Sequence, residues 1–377
     1  MRLPEFQIER LFAEHEFTSR HNLTSSDVEG ISLPFLWDVA PVETREMYES
    51  LSLGYTEGPG HPLLRELIAD RSGIASAGGV QIFAGATEAA FVVFNALLDS
   101  GDHVVTVGPL YQLLRGIPQA IGVEVTEVLL SRDEDWALDV ERIARSIRPN
   151  TRMIVANFPH NPTGSLPDAE TFARLVDLAE ENDVWLLSDE IYSGIESDPR
   201  TTLPAAAGLS PRAITLSGVS KVFGMAGTRI GWIACQDTRV ASRLLDYRYW
   251  TTLATSAPSE ILAIAALQAA PALLQRSRDL VSGNRKVLDE FVAEQPGWRM
   301  VPDGSGTCAY PWLEDGDSHR LAAWLIDDHG ILLAPGAVFG HGGGHLRFGL
   351  GRADFGEGIK RLRRIAREHP REWAENS

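Results

Sequence analysis

The stretch SGVSKVFGMAGTRIGW, residues 217–232, lies between two apolar runs, AITLSG (213–218) and TRIGWIAC (228–235), and carries a lysine among small residues. Only three of the 34 basic residues are lysines: Lys221, Lys286 and Lys360. Where a generic positive charge would serve, this chain uses arginine. A lysine enclosed by small and apolar neighbours loses hydration, which disfavours the ammonium form and lowers its pKa. The neutral amine is a nucleophile toward carbonyl compounds. Lys221 therefore reads as a reactive group rather than a solvated loop lysine.

Working outward, the two flanking runs belong to a series. VQIFAG, HVVTVG, VEVTEVLL, TRMIVANFP, VWLLSDEIY, AITLSG and TRIGWIAC are short apolar segments that each end at polar, Gly or Pro punctuation. Between them lie helical patterns such as TEAAFVVFNALLD, DAETFARLVDLAEEN and SEILAIAALQAAPALLQRS. Strands alternating with helices predict an α/β fold with a mostly parallel sheet and helices on both faces. After about residue 270 the texture becomes α+β: a long charged helix, short strands near MVPDGSGTCAYPWL, a helix around RLAAWLIDDHG, then ILLAPG and HLRFGLG. The expected organisation is a large domain over residues 41–270 and a smaller one over 271–377. Residues 1–40 form an arm packing with the smaller domain. In that arm Phe6, Ile8, Leu11 and Phe12 are spaced as on an amphipathic helix seeking a groove.

The formal net charge of −17 argues against nucleic-acid and anionic-membrane partners, which reward basic surfaces. Two distant cysteines, Cys235 and Cys308, give neither a disulfide scaffold nor a zinc spacing, and a reducing, cytoplasmic setting is expected. Charges interrupt MRLPEFQIERLFAEHEF, so no signal peptide is expected there, and no stretch reads as a membrane span.

In open parallel sheets ligands bind beyond the carboxyl ends of the strands. The polar residues that follow each run are GATEA at 85–89, Tyr111, Asn157 and Asn161 in NFPHNPTG, Asp189 and Tyr192 in SDEIY, and Ser217 to Lys221. They are expected to meet in one crevice. GPGHPLL at 58–64 lacks a GxGxxG pattern, and three glycines between His341 and His345 oppose a helical metal pair, so GHGGGH reads as a mobile loop over the site.

GVSKVFGMAGTRIG, NFPHNPTG, SDEIY, GYTEGPGHPLLRELIA and PGAVFG…HLRFGLG resemble, in order and spacing over residues 50–350, the blocks of the class I/II pyridoxal-phosphate aminotransferases. The resemblance implies a fold-type I enzyme, a homodimer with shared active sites, and pyridoxal 5′-phosphate as cofactor. Lys221 would hold the cofactor and shuttle the substrate Cα proton, through aldimine and quinonoid intermediates. Asp189 would pair with the pyridine N–H, and Tyr192 and Asn161 would bond the phenolic oxygen. Asn161 also reads as substrate-binding. Tyr111 would stack on the ring, or pack as an aromatic beside Pro109. Gly85, Ala86 and Thr87 would open a phosphate-binding helix with Arg229 as its cation. Gly218 stands where many relatives place a phosphate-binding serine, so Ser217 or Ser220 would substitute, and Ser220 is the candidate. Tyr55 would reach the partner subunit's phosphate. Arg347 would fork onto the substrate carboxylate, or form a structural salt bridge.

The implied reaction is transamination between an amino acid and a 2-oxo acid. The alternative is β/γ-elimination, replacement or cyclisation, as in capreomycidine synthase-like members. A regulator built on the same domain is disfavoured by the acidic charge and by the lack of a preceding winged-helix segment. TTLATSAPSE contains no arginine, although Arg248 lies nearby, and dicarboxylate-specific relatives place a second arginine in that region. Aspartate and glutamate are disfavoured accordingly.

Overall fold

The computed structural model describes residues 2–302 and 304–376. All seven predicted runs form strands of one sheet: β2 (Val80–Phe83), β3 (His103–Gly108), β4 (Glu124–Leu129), β5 (Thr151–Asn157), β6 (Trp185–Asp189), β7 (Ala213–Gly218) and β8 (Gly231–Cys235). Their order is β2-β8-β7-β6-β5-β3-β4. Only β8 runs against its neighbours. This is a mixed α/β fold with a mostly parallel central sheet.

Successive side chains on a strand point to opposite faces, so each apolar run must be covered twice. Val104, Val155 and Leu187 join one apolar cluster with Phe94 of the helix α2 (Ala86–Leu97). Their neighbours Val105, Ile154 and Leu186 join another with Phe172 and Leu175 of α3 (Ala169–Glu181). A third cluster gathers the C-terminal elements with Leu23 and Val28.

SEILAIAALQAAPALLQRS, expected as one helix, is two. α4 (Ala257–Gln268) and α5 (Ala270–Glu294) meet at a 78° bend. Pro271 explains the break, because its ring cannot donate to residue 267 and clashes with that carbonyl. α5 then absorbs the charged helix expected to follow. Among the described residues no single helix is long and apolar enough to cross a membrane.

The arm forms α1 (Gln7–His15) and a short strand β1 (His21–Asn22). Ile8 of α1 is buried in one apolar cluster with Val105 and Val107 of the central sheet and with Tyr310 and Phe339. β1 pairs in parallel with β12 (Ile331–Leu332). Residues 23–31 then thread between two elements: Gly349 N–H donates to the Leu23 carbonyl and Val28 N–H to the Lys221 carbonyl. In the C-terminal part, β14 (Gly344–Gly349) is flanked by β10 (Cys308–Ala309), β11 (Trp312–Leu313) and β13 (Ala334–Pro335), and β9 (Trp298–Arg299) pairs with β11. GHGGGH is not a loop over the crevice. His345 lies buried in β14, its ring 4.9 Å from Tyr310, and the segment does not line the cavity at the strand ends.

Candidate active site

A cavity of about 960 Å³ opens at the carboxyl edge of the parallel strands. Lys221, Asp189, Tyr192, Asn161, Asn157, Tyr111, Ala86, Thr87, Ser220, Arg229 and Arg347 all line it. The sheet delivers several of them from strand ends: β2 leads into Ala86, β5 into Asn161, β6 ends on Asp189, and β7 leads into Lys221. β8 is antiparallel and therefore starts at the edge where its neighbours finish, which brings Arg229 to the same place.

Lys221 opens onto the cavity while its amine is surrounded by protein, and burial pulls its pKa below the ordinary lysine value. Its Nζ donates to Ser26 Oγ at 3.1 Å, and the Tyr192 hydroxyl donates to the same oxygen at 3.1 Å. Asn161 Nδ2 donates to the Tyr192 oxygen at 3.3 Å, and Arg347 Nη1 donates to Asn161 Oδ1 at 3.1 Å. One chain of hydrogen bonds thus joins the amine to the guanidinium. Asn161 is fixed in turn by its N–H donating to Asn157 Oδ1 at 2.9 Å.

Arg347 is 1% exposed, and among the described residues it makes no ion pair. Its Nη2 donates to the Thr24 carbonyl at 2.8 Å, and its Nε has no partner. The salt-bridge alternative is therefore not what the structure contains. A buried guanidinium without a counter-anion suits a ligand carboxylate, which returns the charge lost on desolvation.

Asp189 is pushed up to about 7 by burial, against the opposing pull of the Ile191 N–H and of Lys221. The Tyr111 hydroxyl donates to Glu9 Oε1 at 2.6 Å, and Phe6 packs on its ring at 5.1 Å. At the other end of the cavity the first N–H groups of α2 have no intrahelical acceptor. Gly85 precedes them at φ +92°, and a Cβ there would collide with the Arg229 guanidinium. Arg229 itself sits at φ +55°, a strained conformation for a side chain other than glycine. A Cβ at Gly218 would meet the Ile230 carbonyl at 2.8 Å, so this position packs against β8. Of the two substitute serines, Ser220 lines the cavity while Ser217 turns away to the Glu190 carbonyl at 3.4 Å.

Tyr55 is not part of its own chain's cavity; it stands 91% exposed. Conversely, the cavity wall includes residues that the motifs did not indicate: Glu9, Phe12, Glu16, Ser25, Ser26 and Asp27. The amphipathic spacing of the arm was the only signal that α1 would bury against something. Nothing in the sequence separates Ser26 from an ordinary loop serine.

The sequence profile of the family "Aminotransferase class I and II" matches residues 38–355. The chain belongs to the class I and II aminotransferases. This aminotransferase is 32% identical to the arginine–pyruvate transaminase AruH of Pseudomonas aeruginosa, across 83% of this chain and 82% of the relative. It is 30% identical to capreomycidine synthase of Streptomyces vinaceus, across 90% and 87%. Its fold matches a crystal structure of a PLP-dependent aminotransferase from Streptococcus suis with a TM-score of 0.90 and 27% identity, covering 98% and 99% of the two chains.

The aminotransferase depends on pyridoxal phosphate, and its cavity fits that group. The α2 N-terminus and Arg229 form an anion cradle at one end. A buried carboxyl with a raised pKa, Asp189, suits a protonated ring nitrogen, whose charge offsets the cost of burying the carboxylate.

Proposed function

We propose that this aminotransferase moves the α-amino group of an amino acid to a 2-oxo acid, with Arg347 holding the substrate carboxylate and Lys221 handling the proton at Cα. The carrying observation is the pairing of a desolvated lysine with a buried, unpaired arginine across one hydrogen-bond chain. Pyridoxal phosphate, when bound, supplies an aldehyde for the amine and a cationic ring that accepts the electrons of the broken Cα–H bond. Lys221 would hold it and, as a neutral amine, would take the substrate Cα proton. Asp189 would keep the ring nitrogen protonated. Tyr192 and Asn161 would bond the ring oxygen, Tyr111 would cover the ring, and Gly85, Ala86, Thr87, Ser220 and Arg229 would receive the phosphate.

We place the enzyme in a homodimer. Leu53, Tyr55 and Trp250 are 83–91% exposed, and Tyr249 and Leu253 nearly half. The two segments adjoin, since Thr56 Oγ1 donates to the Thr255 carbonyl at 3.3 Å. Thr252 of the second segment lines the cavity mouth. Such an apolar, aromatic patch beside an active site suits a second copy, whose Tyr55 would complete the phosphate site. The two free, buried cysteines are compatible with a reducing cytoplasm.

The similarity to capreomycidine synthase supports a second reading, elimination or cyclisation on the same residues. A half-reaction separates them. An amino donor alone should bleach the visible band of the loaded enzyme, and a 2-oxo acid should restore it. Repeated turnover of a donor bearing a β- or γ-leaving group, without any acceptor, would replace transamination by the second reading.

A further inference from the structure

The charged groups of the cavity wall do not all find partners within the protein. Of the cations, Lys221 and Arg229 serve the cofactor and Arg347 serves the substrate carboxylate. Of the acids, Asp189 faces the ring nitrogen, and Glu9 accepts from Tyr111 at 2.6 Å. Glu88 accepts from the Ala84 N–H at 2.6 Å and from Thr251 and Thr252 at 2.6 and 2.8 Å. Glu16 and Asp27 complete the set on the cavity wall, and of these two Asp27 has a partner in Arg352.

Glu16 caps the C-terminus of α1, and among the described residues its carboxylate has neither an ion pair nor a hydrogen bond. Asp27 engages Arg352 through Oδ1 at 3.0 Å. The two acids are near enough to interact. Burial first, and then the charge of Asp27, raise the pKa of Glu16 against the opposing pull of Arg352 and Lys221, while Asp27 and Glu9 act on Lys221 against Arg347. The wall contributed by the N-terminal segment therefore carries one carboxylate paired with Arg352, Asp27, and one without a direct partner among the described residues, Glu16.

A second, independent feature shows that a ligand belongs at this end. Arg347 is a buried cation on the same wall, without an ion pair among the described residues and with an unpartnered Nε. It calls for an anion, and the α-carboxylate supplies one. With the carboxylate at Arg347 and the amine near Lys221, the side chain of the substrate has the N-terminal wall to occupy. That wall offers Phe12, whose ring lies 5.9 Å from the Arg347 guanidinium, and Phe6 as apolar surface, together with the carboxylates of Glu16 and Asp27. Apolar lining together with carboxylates suits a methylene stem that ends in a cation.

We infer that the amino donor carries a long side chain ending in a guanidinium or ammonium group, received by Glu16 together with Asp27. This rests on the aminotransferase reading and adds the substrate class to it. Glu16 and Asp27 are then specificity-determining residues, and α1 brings one of them to the site.

The experiment is a spectroscopic titration of the loaded enzyme with L-arginine, L-lysine, L-citrulline and L-norleucine. Citrulline keeps the length of arginine without its charge, and norleucine keeps the stem of lysine. The two cationic amino acids should perturb the cofactor band at concentrations at least about tenfold lower than the two neutral ones. Glu16→Gln should bring the ratio toward one, and Glu16→Lys should invert it, with the unliganded cofactor band retained as evidence of an intact fold. Equal response of wild type to arginine and citrulline, or an unchanged ratio in Glu16→Gln, overturns the inference while leaving the aminotransferase reading in place. No response to any amino acid overturns both.

Discussion

Asp189 is an acid held away from water at the end of β6, and its neighbour Glu190 shares that condition; both are pushed up to about 7 by burial. The sign follows from linkage. A carboxyl whose folded pKa is raised above its unfolded value contributes stability fully present below the unfolded pKa and lost as pH rises through the folded one. For Asp189 the window runs from 3.8 to about 7. Cofactor-free enzyme should therefore lose stability across that window through this residue, at roughly 1.4 kcal/mol for each pH step of one. Asp189→Asn cannot ionise, so its thermal midpoint relative to wild type should climb between pH 4 and pH 7 and then level off. A difference that stays flat with pH would show that Asp189 is already ionised and solvated. That such residues would line one cavity was legible where chemistry is tied to a motif, as for Lys221, Asp189 and Arg347. The pKa shifts were not, except for Lys221, because they depend on what the rest of the chain packs around each group.

Among the secondary-structure elements, the seven strands were legible because their runs are short and sharply punctuated, and all but the edge strand β4, which carries Glu124 and Glu127, are largely buried. The boundary between α4 and α5 was not, because the apolar pattern runs through Ala269 and only Pro271 marks the turn. The segment after β1 was illegible for another reason. Its worth lies in contacts made hundreds of residues away, such as Arg347 Nη2 to the Thr24 carbonyl and Lys221 Nζ to Ser26 Oγ. Ser26 acts as a positioning residue, since its hydroxyl accepts from both the Lys221 amine and Tyr192. Ser26→Ala removes two hydrogen bonds of about 1 kcal/mol each, so kcat should fall roughly 5- to 30-fold with KM little changed. Ser26→Thr keeps the hydroxyl and should recover most of the rate. Equal loss in both variants would make the site merely intolerant of substitution.

Across the full chain, the fold explains why residues from 9 to 347 in sequence meet. Six strands share a direction, β8 returns against them, and the crossing connections all end at one edge. Tyr55 is the exception, since it stands in solvent on its own chain. If the site is shared, Tyr55→Phe and Lys221→Ala homodimers should each be impaired. Mixing them with subunit exchange should restore up to about half of the wild-type activity per heterodimer, because one of its two sites is intact. Confirmed exchange without recovery would count against a site completed by the partner subunit.

Everything assigned to the cavity depends on Lys221, delivered by β7 to its wall, being the residue that carries the cofactor. Treating the loaded enzyme with borohydride should reduce the lysine–cofactor linkage and fix it permanently. Peptide mass spectrometry then reads its position among Lys221, Lys286 and Lys360. The cofactor mass should appear on the peptide containing Lys221 and be absent after Lys221→Ala. A cofactor adduct on Lys286 or Lys360 in the wild-type protein would refute the assignment of Lys221.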